Sequence, residues 1–417
     1  MDKPVATTFC VAPWFQVRNE NDGAKMVCCN MRTRQIESAN QEPLEFLNTP
    51  DNIRLKRQLH QGERAKDCAE CWRAEDNGRT SLRQRLNGVL TNNTSSVDDT
   101  WLSSYFKHKK NLQSDAILMA DIKVGNTCNH SCVMCVPDDS SLIYNDWRAN
   151  PDAFFIKEKL ASDPEYLERI KLTGYANRNY KQYVKSILAD TRLKYLKLLG
   201  GEPLLDRHLL TMLKALPEQQ KRNLSLYIIT NGSQDLIQTK NFLGDFKSIK
   251  FSVSLEGTSL IQNYARYGSD WKNVSSNIVK FSRSSPSDIT VHNTLQTTTI
   301  LGFKELAEWT RKHQLAMSLG VCHEPYYLSF SSLPDHVRAK VKDSLKEADL
   351  NIIQNNIGDE ASWPISKVID IMDKTSFNHE HYTKFLQYIK WYENGKKIKP
   401  LRHIYPALFV DKNQQVI

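Results

Sequence analysis

The chain is 417 residues long, with 56 Lys+Arg against 47 Asp+Glu and a formal net charge of +9. At that length two or three domains, or one large barrel with an appendage, are expected. A mean hydropathy of −0.53, with no run near the ~20 apolar residues a spanning helix needs, excludes an integral membrane protein of the helical kind. The start, Met1-Asp2-Lys3-Pro4-Val5-Ala6, has no apolar signal stretch, so a cytoplasmic protein is expected. Charged residues at 25% and aromatics at 9% describe an ordinary globular chain. Its cations are spread along the sequence, Lys107, Lys109 and Lys110 being the nearest thing to a cluster, so no nucleic-acid element is indicated.

Taken in chain order, residues 1–88 hold five cysteines among Gly, Asn and Pro breakers and suggest a small metal-stapled module. Residues 89–115 are polar and suggest a linker, with a short helix at 101–107. From residue 116 short apolar strands alternate with amphipathic helices. Strands are expected at 117–124, 195–199, 224–230, 249–255, 289–296 and 316–321, with helices at 207–216, 271–282 and 303–313. The segment 137–190 is longer than one crossover requires and is expected to carry extra helices over the barrel mouth. Beyond Cys322 the extension 323–417 suggests helices at 334–348 and 382–391. Such alternation implies α/β architecture with right-handed parallel crossovers, here a partial (β/α)6 barrel over 116–322. Its polar, Gly-containing turns follow the strands, the edge at which barrel enzymes bind substrates.

The nine cysteines are the chemical signal: Cys10, Cys28, Cys29, Cys68, Cys71, Cys128, Cys132, Cys135 and Cys322. An odd number without a secretion signal argues against a disulfide framework, and grouped thiols in a reduced compartment usually hold metal. Cys128, Cys132 and Cys135 form C-x3-C-x2-C on the loop after the first strand. Three thiolates can serve three irons of a cubane and leave the fourth open, whereas structural zinc wants four ligands, with His130 poorly placed inside the loop. Gly200-Gly201-Glu202-Pro203 follows the second strand. Its glycines admit close backbone approach, and its carboxylate suits an ammonium group. Ser252 and Ser254 share one face of the fourth strand. Asn231 lies in the turn after the third strand.

The cysteine loop on the first strand of a partial barrel, with the Gly-Gly-Glu-Pro turn, resembles the radical S-adenosylmethionine (radical SAM) superfamily over residues 116–322. The resemblance implies a [4Fe-4S] cluster on Cys128, Cys132 and Cys135 whose open iron is chelated by SAM. Reductive cleavage of SAM then gives a 5′-deoxyadenosyl radical that abstracts hydrogen from substrate. It further implies that Gly200, Gly201, Glu202 and Pro203 receive the methionine amino group. Ser252 and Ser254 resemble positions that meet the ribose or carboxylate, Asn231 a ribose contact, and Arg266 an arginine that reaches the SAM carboxylate. Met134 stands where the family often has an aromatic residue beside the adenine, and its thioether can pack there. An external reductant such as flavodoxin or ferredoxin is implied, and no membrane partner.

Cys10-x12-Gly23-x4-Cys28 followed by Cys68-x2-Cys71 resembles the opening of a SPASM domain, in the shortened twitch form that holds one auxiliary [4Fe-4S] cluster. Its ligands would be Cys10, Cys28, Cys68 and Cys71, with Cys29 able to exchange with Cys28. Its position before the barrel departs from the family pattern, and on spacing alone a four-cysteine zinc site stays open. Cys322 at the sixth strand's end suits either a core thiol or a substrate contact. The substrate class stays open between peptide, sugar, nucleotide and small metabolite. The alternative from another class is a non-catalytic zinc or iron–sulfur scaffold on nucleic acid.

Overall fold

The computed structural model describes residues 7–21, 23–31, 41–76, 78, 80–90, 112–171, 178–348 and 363–410. The linker and the helix expected at 101–107 fall almost wholly outside these residues, as do Lys107, Lys109 and Lys110. The fold is mixed α/β around one eight-stranded sheet. Its strands are β1 (Gln16–Asn19), β2 (Lys25–Met26), β3 (Met119–Lys123), β5 (Tyr195–Leu199), β6 (Ser225–Thr230), β7 (Ser248–Ser254), β9 (Ile289–Leu295) and β10 (Ala316–Val321). The order across the sheet is β10-β9-β7-β6-β5-β3-β1-β2. The six expected strands therefore follow one another in sequence order, as in a (β/α)6 partial barrel. Among the described residues the sheet's outermost strands are β10 and β2. A two-stranded ribbon joins β4 (Ser131–Cys132) to β8 (Arg266–Tyr267), with Ser131 opposite Tyr267 and Cys132 opposite Arg266. No helix among the described residues is long and apolar enough to cross a membrane.

The chain divides into two compact units. The first comprises Met1–Thr127, Glu168–Ile228 and Leu243–Ile249. Here β3 pairs in parallel with β5, Met119 opposite Tyr195, and Leu196 and Leu198, two apart on one face of β5, are fully buried. The sequence did not signal β1, which pairs in parallel with β3, Gln16 opposite Met119, or the β2 hairpin strand. The pairing carries a buried charge network that a run of alternating apolar residues would not announce. Arg18 on β1 meets Asp121 on β3 at 2.5 Å and Glu20 at 2.6 Å, while Lys123 meets Glu20 at 3.0 Å. Residues 1–88 are also more regular than expected, with helices at Pro43–Leu47, Pro50–His60, Ala69–Asp76 and Leu82–Leu90.

The second unit comprises Cys128–Leu167, Ile229–Phe242 and Lys250–Ile417. Strands β7, β9 and β10 run parallel in register, Ser252 opposite Thr290, Ser254 opposite His292, and His292 opposite Ser318. Side chains alternate, so the register sorts the strands into two faces. One face holds Phe251, Val253, Val291, Leu295, Met317 and Leu319, all buried. The helix Trp271–Ser284 covers it: its Val274, Ile278 and Phe281 repeat at helical spacing, and the Phe281 ring meets Phe251 edge-on at 5.1 Å. The other face is polar, with Ser252, Ser254, Thr290, His292, Thr294 and Ser318. The expected extra segment 137–190 is helical at Ser141–Ala149, Phe154–Ser162, Tyr166–Lys171 and Arg178–Ala189. The extension is helical at Asp335–Glu347, Ile365–Lys374 and His379–Glu393, the middle helix unanticipated.

Candidate functional site

In the second unit the C-x3-C-x2-C loop is folded tightly on itself. The Cys135 amide donates to the Cys132 carbonyl at 3.1 Å, and the His130 amide points at the Cys128 sulfur at 3.4 Å. The ribbon β4–β8 holds the loop from one side, with the Val133 amide donating to the Ala265 carbonyl at 2.7 Å. Two buried tyrosines also hold the loop. The Tyr388 hydroxyl donates to the Val133 carbonyl at 2.6 Å, and the Tyr392 hydroxyl lies 2.8 Å from the Ser131 carbonyl and 2.9 Å from that of Tyr264. Burial pushes the Cys135 thiol well above its ordinary value, and the neighbouring charges of Cys132, Asp139 and Cys128 push it further. The three thiols thus lie in one electrostatic neighbourhood. His130 is buried, and neither ring nitrogen has a partner. Burial, then the Arg266 charge, holds its imidazole down near 4, so it is neutral.

Arg266 sits opposite Cys132 on the ribbon. Its guanidinium donates to the Cys132 sulfur at 3.8 Å and to the Glu256 carboxylate at 2.8 Å. Glu256, just past β7, is 1% exposed and also accepts from Asn293 Nδ2 at 3.4 Å and the Thr294 amide at 3.3 Å. Sequence reasoning named Arg266 but missed Glu256. The signal was an acid immediately after a strand whose polar face also carries Ser252 and Ser254. Ser252 is fully buried and Ser254 half-buried, on the face shared with Thr290 and His292. Asn231 turns toward the loop: its Nδ2 donates to Asn129 Oδ1 at 2.8 Å and lies 4.0 Å from the Cys128 sulfur. Met134 is half-buried. At the end of β9, Gln296 is fully buried with neither amide atom partnered, and Thr290 Oγ1 on the same strand is likewise orphaned. Buried polar atoms of this kind are held in readiness for a hydrogen-bonding ligand or water. Cys322 is buried, donates to the Glu324 carbonyl at 3.4 Å, and is pushed up to about 12 by burial and then by Glu256.

In the first unit the Gly200–Pro203 turn clasps the backbone that leads into the cysteine loop. The Gly201 amide donates to the Gly125 carbonyl at 2.7 Å and the Glu202 amide to the Thr127 carbonyl at 2.9 Å. A Cβ on Gly201 would lie 2.3 Å from the Thr127 oxygen, and Gly200 holds φ +119° with its Cβ position 2.7 Å from the Gly125 oxygen. No side chain fits at either place. The Glu202 carboxylate is 1% exposed and caps the turn by accepting from the Leu204 amide at 3.0 Å.

The same unit gathers the N-terminal cysteines from three distant segments. Burial raises the Cys10 thiol, and the charges of Cys68 and Cys71 raise it further. Cys28 is raised by burial and then by Cys29, Cys10, Cys71 and Cys68. Cys68 is pushed up to about 12 by burial and then by Cys71. The guanidinium of Arg83 opposes part of this at Cys10 and Cys68. Cys29 also faces Arg18, whose positive form its charge favours. None of the nine cysteines is in a disulfide.

Two thiolates on one zinc, with Zn–S at about 2.3 Å, must nearly touch. Among the described residues no three His, Cys, Asp or Glu side chains meet closely enough for a single ion. A cubane takes one thiolate per iron, so its thiolates need only surround it. Cys10, Cys28, Cys68 and Cys135 are raised by burial and by neighbouring thiols, and a cationic metal or cluster among them would supply the positive charge that thiolates need.

No family model matches the chain, and no curated protein does. Among solved structures it is similar to native anSMEcpe with bound AdoMet and the Kp18Cys peptide, at 16% identity and a TM-score of 0.37, over 55% of this chain and 59% of that one. It is similar to SuiB of Streptococcus suis bound to S-adenosylmethionine, at 17% identity and a TM-score of 0.34, over 57% of this chain and 50% of that one. A third is archaeal TYW1, at 17% identity and a TM-score of 0.25, over 51% of this chain and 64% of that one. The chain thus spans about three fifths of the first of these and half of the second.

Proposed function

We propose that the chain is a radical SAM enzyme of the cytoplasm with an N-terminal auxiliary iron–sulfur module of the twitch type. One observation supports this most: the Cys128 and Cys132 charges both act on the buried Cys135 thiol, and Arg266, paired with Glu256, donates to the Cys132 sulfur. Three cysteine ligands suit a [4Fe-4S] cluster with one open iron. When bound with SAM and reduced by one electron, that cluster supplies a 5′-deoxyadenosyl radical for hydrogen abstraction from substrate.

The chain's own residues then have definite work. Tyr388 and Tyr392 fix the loop so that its three sulfurs stay in place. Arg266 sets a positive charge against Cys132, which favours the thiolate. Glu256 balances that charge in a site nearly closed to water, where such pairs act strongly. Glu202 is the carboxylate we assign to the methionine ammonium of SAM, beside glycines that keep the backbone close. Asn231, Ser252 and Ser254 are assigned to the ribose and carboxylate, and Met134 to adenine packing. Cys10, Cys28, Cys68 and Cys71 are assigned to the auxiliary cluster. Cys29, next to Cys28 and beside Arg18, can exchange roles with it. The polar face of β7, β9 and β10 is the surface we assign to the substrate.

Anaerobic reconstitution with iron and sulfide counting tests the two-cluster reading. Two four-iron clusters correspond to about eight irons per chain. Cys128→Ala with Cys132→Ala should remove about half, and Cys10→Ala with Cys68→Ala the other half. A total of about four irons, lost only with the first pair, would remove the auxiliary cluster. Stoichiometric zinc in place of iron would leave a scaffold.

A further inference from the structure

The segment that follows the helix His379–Glu393 gathers much of the chain's excess positive charge. Between residues 390 and 403 stand Lys390, Lys396, Lys397, Lys399 and Arg402, against the single acid Glu393. Glu393 is turned inward, where it accepts from the Tyr264 hydroxyl at 3.0 Å and the Leu401 amide at 2.7 Å. Lys390, Lys397, Lys399 and Arg402 are exposed. The fifth cation, Lys396, is an anchor rather than a surface charge, its side chain 9% exposed. It pairs with Asp146 at 3.2 Å and lies 4.4 Å from the centre of the Tyr392 ring and 5.7 Å from that of Tyr267.

Both rings belong to the cysteine loop's support. The Tyr392 hydroxyl is 2.8 Å from the carbonyl of Ser131, the residue before Cys132, and Tyr267 is the ribbon partner of Ser131. The cationic surface is therefore fastened, through one buried side chain, to the backbone that carries the thiols.

We propose that this surface docks an acidic one-electron carrier protein, the donor that the radical reading requires. The inference rests on that reading for its purpose, but not for its geometry. Charge complementarity is what favours this occupant: four exposed cations in thirteen residues, without an exposed acid among them, attract a negative face and repel a positive one. In the transfer one electron leaves the reduced carrier and enters the group held by Cys128, Cys132 and Cys135. No bond forms or breaks, and the oxidised carrier dissociates.

The test uses the full chain and oxidised flavodoxin as the probe, with calorimetric titration and carbodiimide cross-linking as readouts. The variants are Lys397→Glu/Lys399→Glu/Arg402→Glu and the milder Lys397→Gln/Lys399→Gln/Arg402→Gln, each checked for native circular dichroism. The wild type should bind flavodoxin with an affinity that falls at least tenfold between low and moderate salt. The glutamate triple should lose at least tenfold at low salt, with the glutamine triple between them and cross-links mapping to Lys397 and Lys399. Dithionite-driven formation of 5′-deoxyadenosine, which bypasses docking, should be unchanged in both variants. Wild-type-like binding by the glutamate triple, salt-independent binding, or no binding by the wild type would each overturn the proposal. So would retention of polyglutamate or RNA by this surface to the exclusion of flavodoxin. If docking behaves as stated but dithionite yields no 5′-deoxyadenosine from the wild type, the docking surface stands and the radical reading falls.

Discussion

Arg266 and Glu256 offer the sharpest energetic prediction. Glu256 is 1% exposed, and among the described residues its carboxylate has, besides Arg266 at 2.8 Å, two long neutral donors, Asn293 at 3.4 Å and the Thr294 amide at 3.3 Å. Arg266→Gln leaves a buried carboxylate without a countercharge, a loss worth about 3–5 kcal/mol. Glu256→Gln strands a guanidinium whose side chain is 13% exposed and which still faces the Cys132 sulfur. It should cost less, about 2 kcal/mol, because a buried group left short of its charged partner pays chiefly its own desolvation. In the double variant both charges are gone, so the loss should fall short of the sum by about 1–3 kcal/mol. Urea unfolding of the cofactor-free protein supplies the cycle. Exchange of the Val133 amide, bonded to Ala265 beside Arg266, reports whether the loss is local to the ribbon. Additivity within about 0.5 kcal/mol would show that the pair is not coupled and would refute the reasoning.

Other consequences follow from single contacts. Tyr392→Phe keeps the buried ring but leaves the Ser131 and Tyr264 carbonyls without their donor, a loss of about 1–3 kcal/mol, and should speed amide exchange selectively at 131–135; uniform exchange would contradict it. Gly201→Ala, whose Cβ would lie 2.3 Å from the Thr127 oxygen, should cost about 3 kcal/mol. Gly62→Ala, with positive φ but open space around it, should cost only about 1 kcal/mol, and equal urea midpoints would defeat the comparison. Burial pushes the Asp206 carboxyl up to about 6 from its ordinary 3.8, although its Oδ1 accepts from the Leu209 amide at 2.8 Å. Between those values the folded chain holds a proton that the unfolded chain lacks, so this group's contribution is full below 3.8 and is lost as pH rises through 6. Asp206→Asn retains a capping side chain and should therefore stabilise at pH 7, by on the order of 1 kcal/mol after allowing for solvent access. The gain should vanish near pH 3.5, and one that grew on acidification would reverse the sign.

The six barrel-type strands were legible because buried parallel strands are short apolar runs bounded by turns, and β5 and β10 have the expected limits. Strand β1 was not legible: its four residues, Gln-Val-Arg-Asn, carry an arginine whose burial depends on Asp121, more than a hundred positions away. The cysteines could be grouped by spacing, and the structure sets both groups in shared neighbourhoods. What spacing could not supply was the surroundings of the thiols. Nothing in the spacing of Glu256, Tyr388 or Tyr392 marks them, and it is the fold that brings them to the loop or to its Arg266 support. Lys107, Lys109 and Lys110 stood out in the sequence while the cationic stretch at 390–403 was passed over, and the meaning of that stretch depends on Lys396 lying against Tyr392.

The most direct test is the yield of 5′-deoxyadenosine from SAM by the anaerobically reconstituted, dithionite-reduced protein. The wild type should form it, Cys128→Ala should form none, and Cys10→Ala, which touches only the site proposed for the auxiliary cluster, should still cleave SAM. A wild-type protein carrying its full iron and sulfide that binds or ignores SAM without cleaving it would contradict the account.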